Sequence, residues 1–340
     1  MNGDTAHPDS GGENGAPPAI SIVVPCYREE DVLPLTISAL ADFLAQCVKE
    51  GVAAPDSEII FVDDGSPDRT WECIEAAYRE SSVIKGIRLS RNQGHQQALL
   101  AGLEAARGDF VISIDADLQD DVSVMRDMIL LAMDGNDIVY GVRASRASDT
   151  LFKRLTAESF YRIMRLLGVD LVFNHADFRG MSRKALRALF RYREKSLFLR
   201  GLVGQLGFKT AKVFYDRKER QAGTTKYPLR KMISFALHGV TSFSFVPLRM
   251  VSMLGLMLSA LSVALIAWIV YTKFTSDHAV PGWASTLVIQ SVFGGIQLLC
   301  LGVIGEYLVV IFKEVKDRPA FHIAETVGDV ASRAGDARED

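Results

Sequence analysis

The chain has 340 residues, 49% hydrophobic and 23% charged, with 27 glycines and 11 prolines; such values fit about two folded domains and exclude collagen-like, Pro-rich and wholly disordered chains. A formal net charge of -3 supplies no basic field, which excludes nucleic acid as the main partner. Cys26, Cys47, Cys73 and Cys300 lack CxxC spacing, so a disulfide scaffold or zinc ribbon is excluded and a reducing compartment fits.

Residues 1–18 are rich in Gly, Pro, Asn, Asp and Ser and read as a disordered lead without the basic and apolar regions of a signal peptide. From Ala19 to Tyr140, strand and helix signals alternate. Strands are expected at Ile20–Val24, Glu58–Val62, Ile84–Leu89, Phe110–Ile114 and Asp137–Tyr140, and helices at Asp31–Val48, Gln93–Ala106 and Val122–Met133. Ser66 and Pro67 predict the capped start of a further helix. Apolar strands alternating with helices predict an α/β fold with a mainly parallel sheet, whose ligands sit beyond the carboxyl ends of the strands.

Beyond Ser148 the pattern changes. Phe152, Leu155, Phe160, Ile163, Met164 and Leu167 recur at helical spacing beside Lys153, Arg154, Arg162 and Arg165, a pattern open to a membrane-surface helix or to a packed helix with a solvated basic face. A second such region covers 228–249. Met250–Tyr271 has no charged residue over 22 positions, and Thr286–Phe312 has only Glu306, so both are long enough to cross a hydrocarbon core of about 30 Å. Basic residues flank the pair outside (Arg230, Lys231 and Arg249; Lys313, Lys316 and Arg318), whereas the loop between holds only Lys273; both ends are therefore expected in the cytoplasm. The expected organisation is a lead at 1–18, an α/β domain at 19–227, an interfacial region at 228–249, a two-helix transmembrane domain at 250–312 and a cytoplasmic tail at 313–340, in a multi-pass protein of the inner (plasma) membrane.

Chemistry-bearing residues cluster at the expected strand ends. Asp115 and Asp117 lie two apart directly after a buried strand and can face one ligand; such a pair suits a hard cation, Mg²⁺ or Mn²⁺, that also binds phosphate oxygens. A second strand ends in Asp63-Asp64-Gly65-Ser66, and the first in Pro25-Cys26-Tyr27-Arg28-Glu29, where Tyr27 offers stacking and Glu29 an acceptor for a base or ribose. Together these describe a nucleotide pocket whose diphosphate needs a metal. Neither GxGxxG nor GxxxxGK[ST] is present, so dehydrogenase and P-loop readings lack support. His95 reads as a loop hydrogen-bonder, and His175 neighbours Asp177.

These segments, with Arg91-Asn-Gln-Gly-His95, Asp115-Ala-Asp-Leu-Gln-Asp120, Asp177-Phe-Arg179, Phe198-Leu-Arg-Gly201, Arg217 to Tyr227 and the C-terminal apolar pair, resemble family 2 glycosyltransferases of the GT-A fold, closely the membrane-bound polyprenyl-phosphate glycosyltransferases of the bactoprenol glucosyltransferase and dolichol-phosphate mannose synthase type. The resemblance implies that Pro25, Tyr27, Glu29, Asp64 and Asp115 bind the donor, and that Asp115, Asp117 and Gln119 hold the metal. Arg143, Arg154 and Ser159 would grip the acceptor phosphate. Asp177 would be the active-site carboxylate, base or orienting group, acting with Asp117, and Arg217, Arg220 and Lys226 would close over the diphosphate. The implied partners are a nucleotide-sugar donor, most simply UDP-glucose, a polyprenyl (undecaprenyl) phosphate acceptor and membrane lipid, with a homo-oligomer left open. GDP-mannose or a UDP-N-acetylhexosamine as donor, or a non-catalytic membrane scaffold, stay as alternatives. A processive polysaccharide synthase does not fit, because the Gln-x-x-Arg-Trp element is missing.

Overall fold

The computed structural model describes residues 16–143, 175–192, 199–216, 246–275, 282–316 and 318–330. Alternation along the first strands sets the architecture. In β1 (Ile20–Cys26), Ile22 and Val24 enter one core while Val23 enters the other; in β2 (Glu58–Asp63), Ile59 and Phe61 separate from Ile60 and Val62 in the same way. Strands buried on both faces belong to a sheet covered on both sides. One face packs against α1 (Leu33–Lys49), α2 (Thr70–Glu80) and α4 (Val124–Met133). The other packs against α3 (His95–Ala105), α5 (Arg183–Leu189) and α6 (Leu199–Gln205).

The remaining strands are β3 (Ile84–Leu89), β4 (Phe110–Ser113), β5 (Ile138–Arg143), β6 (His175–Ser182), β7 (Thr210–Tyr215) and β8 (Ile323–Val327). They form one eight-stranded sheet in the order β7-β5-β6-β4-β1-β2-β3-β8. Parallel pairs join β1 to β2 and β4, β2 to β3, and β5 to β7; antiparallel pairs join β6 to β4 and β5, and β8 to β3. The expected α/β class with a mostly parallel sheet holds, and the antiparallel insertions are new.

Two local expectations are displaced. The helix expected at Ser66 begins at Thr70, without a side-chain cap. Ser66 Oγ instead accepts from the Arg28 amide at 3.0 Å, linking the loops after β1 and β2. The tail also contributes to the sheet. β8 pairs with β3, Trp71 Nε1 donates to Glu325 at 3.0 Å, and the Arg107 guanidinium grips Asp329 at 2.7 and 2.9 Å.

Before β8 come two long apolar helices, α7 (Val246–Thr275) and α8 (Trp283–Val315). Of the two expected spans, one segment among the described residues, Val292–Phe312 within α8, is long and apolar enough by itself to cross a membrane, with mean hydropathy 2.1 and no burial. The interfacial regions expected around 148–168 and 228–249 lie outside the described residues, apart from the start of α7.

Candidate active site

The site sits where the theory of open α/β sheets places it, beyond the carboxyl ends of β1, β2 and β4. Pro25 fits inside β1 without cost. The Cys26 carbonyl accepts from the Asp64 amide on the β2 side, so Pro25 turns its nitrogen toward β4, whose pairing with β1 already ends at Val23. No ladder bond is lost there. Just past it, Arg28 has a left-handed backbone (φ 57), and its guanidinium stands 5.5 Å from the centroid of the exposed Tyr27 ring. The Glu29 amide donates to Thr70 Oγ1 at 3.0 Å.

At the end of β2 two buried carboxylates diverge. Asp63 accepts from the Ser66 amide at 2.9 Å through Oδ1, while its Oδ2 is buried without a hydrogen bond and lies 3.6 Å from Arg88 Nε. Burial pushes the Asp63 carboxyl up, against the opposing effects of Ser66 and Arg88. Asp64 accepts from the Gln93 and Gly94 amides at 2.7 and 2.9 Å. Its carboxyl is also raised by burial, though these two amides stabilise the charge. Asp64 thereby holds the turn that enters α3.

The loop after β4 carries the acidic segment. Thr36 Oγ1 donates to the Ala116 carbonyl at 2.7 Å and ties this loop to α1. Asp117 Oδ1 accepts from the Gln119 amide at 3.2 Å. Between them Leu118 is left-handed with φ 52, a strained conformation for a branched residue, costing about 1–2 kcal/mol. Asp120 is buried and accepts from Tyr215 Oη at 2.5 Å, with Arg143 Nη2 at 3.8 Å. Tyr215, raised by burial and by Asp120, stacks edge-on against Phe178.

Asp177 joins this group through register. β4 and β6 pair Phe110 with Ser182 and Ser113 with Arg179; continuing the same pairing sets Asp115 opposite Asp177. Ser113 Oγ donates to the Asp177 carbonyl. His95, the first residue of α3, brings Nε2 within 3.2 Å of Asp177 Oδ2 and 3.6 Å of Asp115 Oδ1. Asp177 Oδ1 receives Arg179 Nη2 at 2.9 Å, and its Oδ2 receives Gln96 Nε2 at 3.2 Å. Asp115 is pushed up by burial, relieved by His95 and raised further by Asp120, Asp177 and Asp117. The same negative region, with Asp63, Glu29 and Asp115 named, adds to burial in raising the Cys26 thiol.

Such crowding of carboxylates is what an oxygen-seeking cation relieves. Among the described residues no group of three or more His, Cys, Asp and Glu side chains is placed to hold a metal ion by itself. The donor set fits an ion that keeps waters and phosphate oxygens as ligands, as Mg²⁺ does, rather than one needing an all-protein cage.

The structure brings together Pro25, Tyr27, Glu29, Asp64, Asp115, Asp117, Gln119 and Asp177 at one end of the sheet, with Arg143 joined through Asp120. Arg154, Ser159, Arg217, Arg220 and Lys226 lie outside the described residues. Gln96 and Tyr215 are the site neighbours absent from the sequence reading, Asp120 and Arg179 stand in its motifs without an assigned role, and His95, read there as a loop hydrogen-bonder, contacts two site carboxylates. For His95 and Gln96 a signal was present, their place at the start of a helix directly after the turn Asn92-Gln93-Gly94.

An α/β sheet with acidic loops at its strand ends is a site for a phosphate-bearing ligand, and comparison with known proteins gives the class. Residues 21–190 match Glycosyl transferase family 2. The chain is 51% identical over 308 residues to the Bacillus subtilis uncharacterized glycosyltransferase YkoT, covering 90% of this chain and 91% of that one. It is 36% identical over 308 residues to the SfII prophage-derived bactoprenol glucosyl transferase of Shigella flexneri, covering 90% and 98%. Among solved structures it resembles mannosyl-3-phosphoglycerate synthase from Rubrobacter xylanophilus at 16% identity and TM-score 0.46, with 78% of each chain covered. The chain belongs to glycosyl transferase family 2, and its chemistry is the transfer of a sugar.

Proposed function

We propose that the protein transfers glucose, with inversion, from UDP-glucose to undecaprenyl phosphate at the cytoplasmic face of the inner membrane. The observation that carries this reading is the carboxylate pair Asp115 and Asp177, which share His95 Nε2 at 3.6 and 3.2 Å, with Asp117 two residues on. Its specificity rests on the 36% identity to bactoprenol glucosyl transferases over most of the chain.

Pro25, Tyr27, Glu29 and Asp64 line the end where the nucleoside would lie. Asp115, Asp117 and Gln119 would hold Mg²⁺ or Mn²⁺. Once bound, the ion neutralises charge growing on the diphosphate leaving group. The acceptor phosphate is largely dianionic at neutral pH, so it attacks without a strong base. Asp177 then orients the acceptor side rather than removing a proton. Arg143, Arg154 and Ser159 are assigned to the acceptor phosphate, and Arg217, Arg220 and Lys226 to the diphosphate.

The sheet itself supports an anchored hairpin. β8 follows α8 and completes the sheet that begins at β1. A single crossing would strand β8 on the far side of the bilayer from β3. An even number of crossings between β7 and β8 keeps β8 beside β3, and α7, uncharged from Met250 to Tyr271, would serve as the partner of α8. The catalytic domain and the tail then share the cytoplasmic side, where anchoring concentrates enzyme and lipid acceptor together.

Incubation of the purified protein in lipid with labelled UDP-glucose and undecaprenyl phosphate tests the reading. Labelled lipid-linked glucose is expected; a panel of nucleotide sugars that labels the lipid only with another sugar would overturn the donor, and no labelled lipid would overturn the reading.

A further inference from the structure

Asp177 is held by side chains that also hold a second element. Gln96 Nε2 donates to Asp177 Oδ2 at 3.2 Å, and Gln96 Oε1 accepts from the Leu199 amide at 3.2 Å. Arg179, 1% exposed, does the same from the other side: Nη2 donates to Asp177 Oδ1 at 2.9 Å and Nη1 to the Leu199 carbonyl at 3.4 Å. The carboxylate and the first residue of α6 are thus clamped by two bridging side chains, one from α3 and one from β6. His95 adds its contact to Asp177 Oδ2 at 3.2 Å.

We propose that Gln96 is a positioning residue for the transfer reaction, fixing the Asp177 carboxylate while locking it to the start of α6. This rests on the placement of Asp177 on the acceptor side given under the proposed function. Amide geometry makes the assignment directional. The NH₂ must face the carboxylate and the carbonyl must face the Leu199 N–H, because a carboxylate cannot accept from an oxygen and an amide N–H cannot donate to an NH₂. Arg179 supplies charge and is buried, so its removal would leave Asp177 without its ion-pair partner. Gln96 is neutral and half-buried, and can be changed without leaving an unpaired charge. Supporting groups of this kind typically cost about 10–100-fold in activity when removed, through orientation of the group they hold.

Two substitutions separate the two bonds. Gln96→Glu keeps an acceptor for the Leu199 amide but replaces the donor facing Asp177 with an oxygen. Gln96→Leu removes both. Each variant, Asp177→Asn and the double variant Gln96→Leu/Asp177→Asn are assayed for lipid-linked sugar and for nucleoside diphosphate release, with thermal melting alongside. The expected result is a kcat lower by about 10–100-fold in both Gln96 variants with donor KM unchanged. In the Asp177→Asn background, Gln96→Leu should add no further loss, because the carboxylate it positions is gone. A wild-type kcat in Gln96→Glu, or losses that multiply fully in the double variant, would overturn the positioning role. If the wild type releases nucleoside diphosphate without forming lipid-linked sugar, the acceptor reading fails, and the same comparison read on diphosphate release still decides the role of Gln96. A folded wild type that yields neither product overturns both.

Discussion

Acidic side chains sit at both ends of the sheet, and they are treated in opposite ways. At the amino end of β2, buried Glu58 has partners on every side: Ser21 Oγ and the Arg107 amide at 2.7 Å each, and Lys85 Nζ at 2.5 Å. At the carboxyl end, Asp115, Asp117, Asp120 and Asp177 crowd together, with Asp115 raised by burial and by its three acidic neighbours. A charge surrounded by donors and a counter-ion belongs to the fold. A carboxyl raised by burial and by neighbouring carboxylates, as Asp115 is, marks an environment built for function. Strain follows the same division: among the described residues the two non-glycine residues in the left-handed region, Arg28 and Leu118, both lie at the carboxyl end.

The largest effect should come from breaking the satisfied end. Glu58→Ala leaves Lys85 and the Ser21 hydroxyl without their partner, and a loss of about 3–5 kcal/mol in stability is expected, read by denaturant unfolding, with kcat per folded molecule unchanged. At the other end the signs reverse. Asp117→Ala should lower sugar transfer by about 10²–10³-fold while the melting temperature stays level or rises, because a repelling carboxylate is removed. Loss of both folding and activity in both variants would erase the distinction between the ends.

A pH series sharpens it. Asp63, Asp64 and Asp115 are all raised in the folded state. The folded protein therefore binds more protons than the unfolded chain once pH exceeds the ordinary carboxylate value of about 4, and stability of the metal-free protein should fall as pH rises from there. Each such carboxylate contributes a slope of at most about 1.4 kcal/mol per pH unit. Asp63→Asn keeps the bond from the Ser66 amide and should flatten that slope when unfolding free energy is measured across the acidic range. A slope that steepens would contradict the assignment. The smallest effect is expected at the edge. Glu325→Ala removes the bonds from Trp71 and Arg88, partly exposed, and should cost about 1 kcal/mol while making the tail more sensitive to limited proteolysis.

The parallel half of the sheet was legible because β1 to β5 are short, apolar and separated by helical periodicity. The acidic strand ends were legible for the same reason: a carboxylate directly after a buried run has few structural explanations. β6 was not legible, since Asp177 and Arg179 place charge inside a strand. Their burial is stabilised because each neutralises the other and because His95, Gln96 and Leu199, far off in sequence, supply further partners. β8 escaped for a related reason, as the Arg88–Glu325 contact spans 237 residues and two long apolar helices. Asp64 shows how a correct location can carry an extra duty: placed at the donor end by sequence, it also holds the backbone turn into α3.

Under the proposed function, Asp115 and Asp117 hold a divalent cation beneath a nucleoside diphosphate. The most direct measurement is calorimetric titration of UDP into the wild type and Asp117→Ala, each with Mn²⁺ and then with EDTA. The account predicts binding by the wild type that needs Mn²⁺ and is lost with EDTA, and weak, metal-indifferent binding by the variant; equal UDP affinity in all four titrations would contradict it.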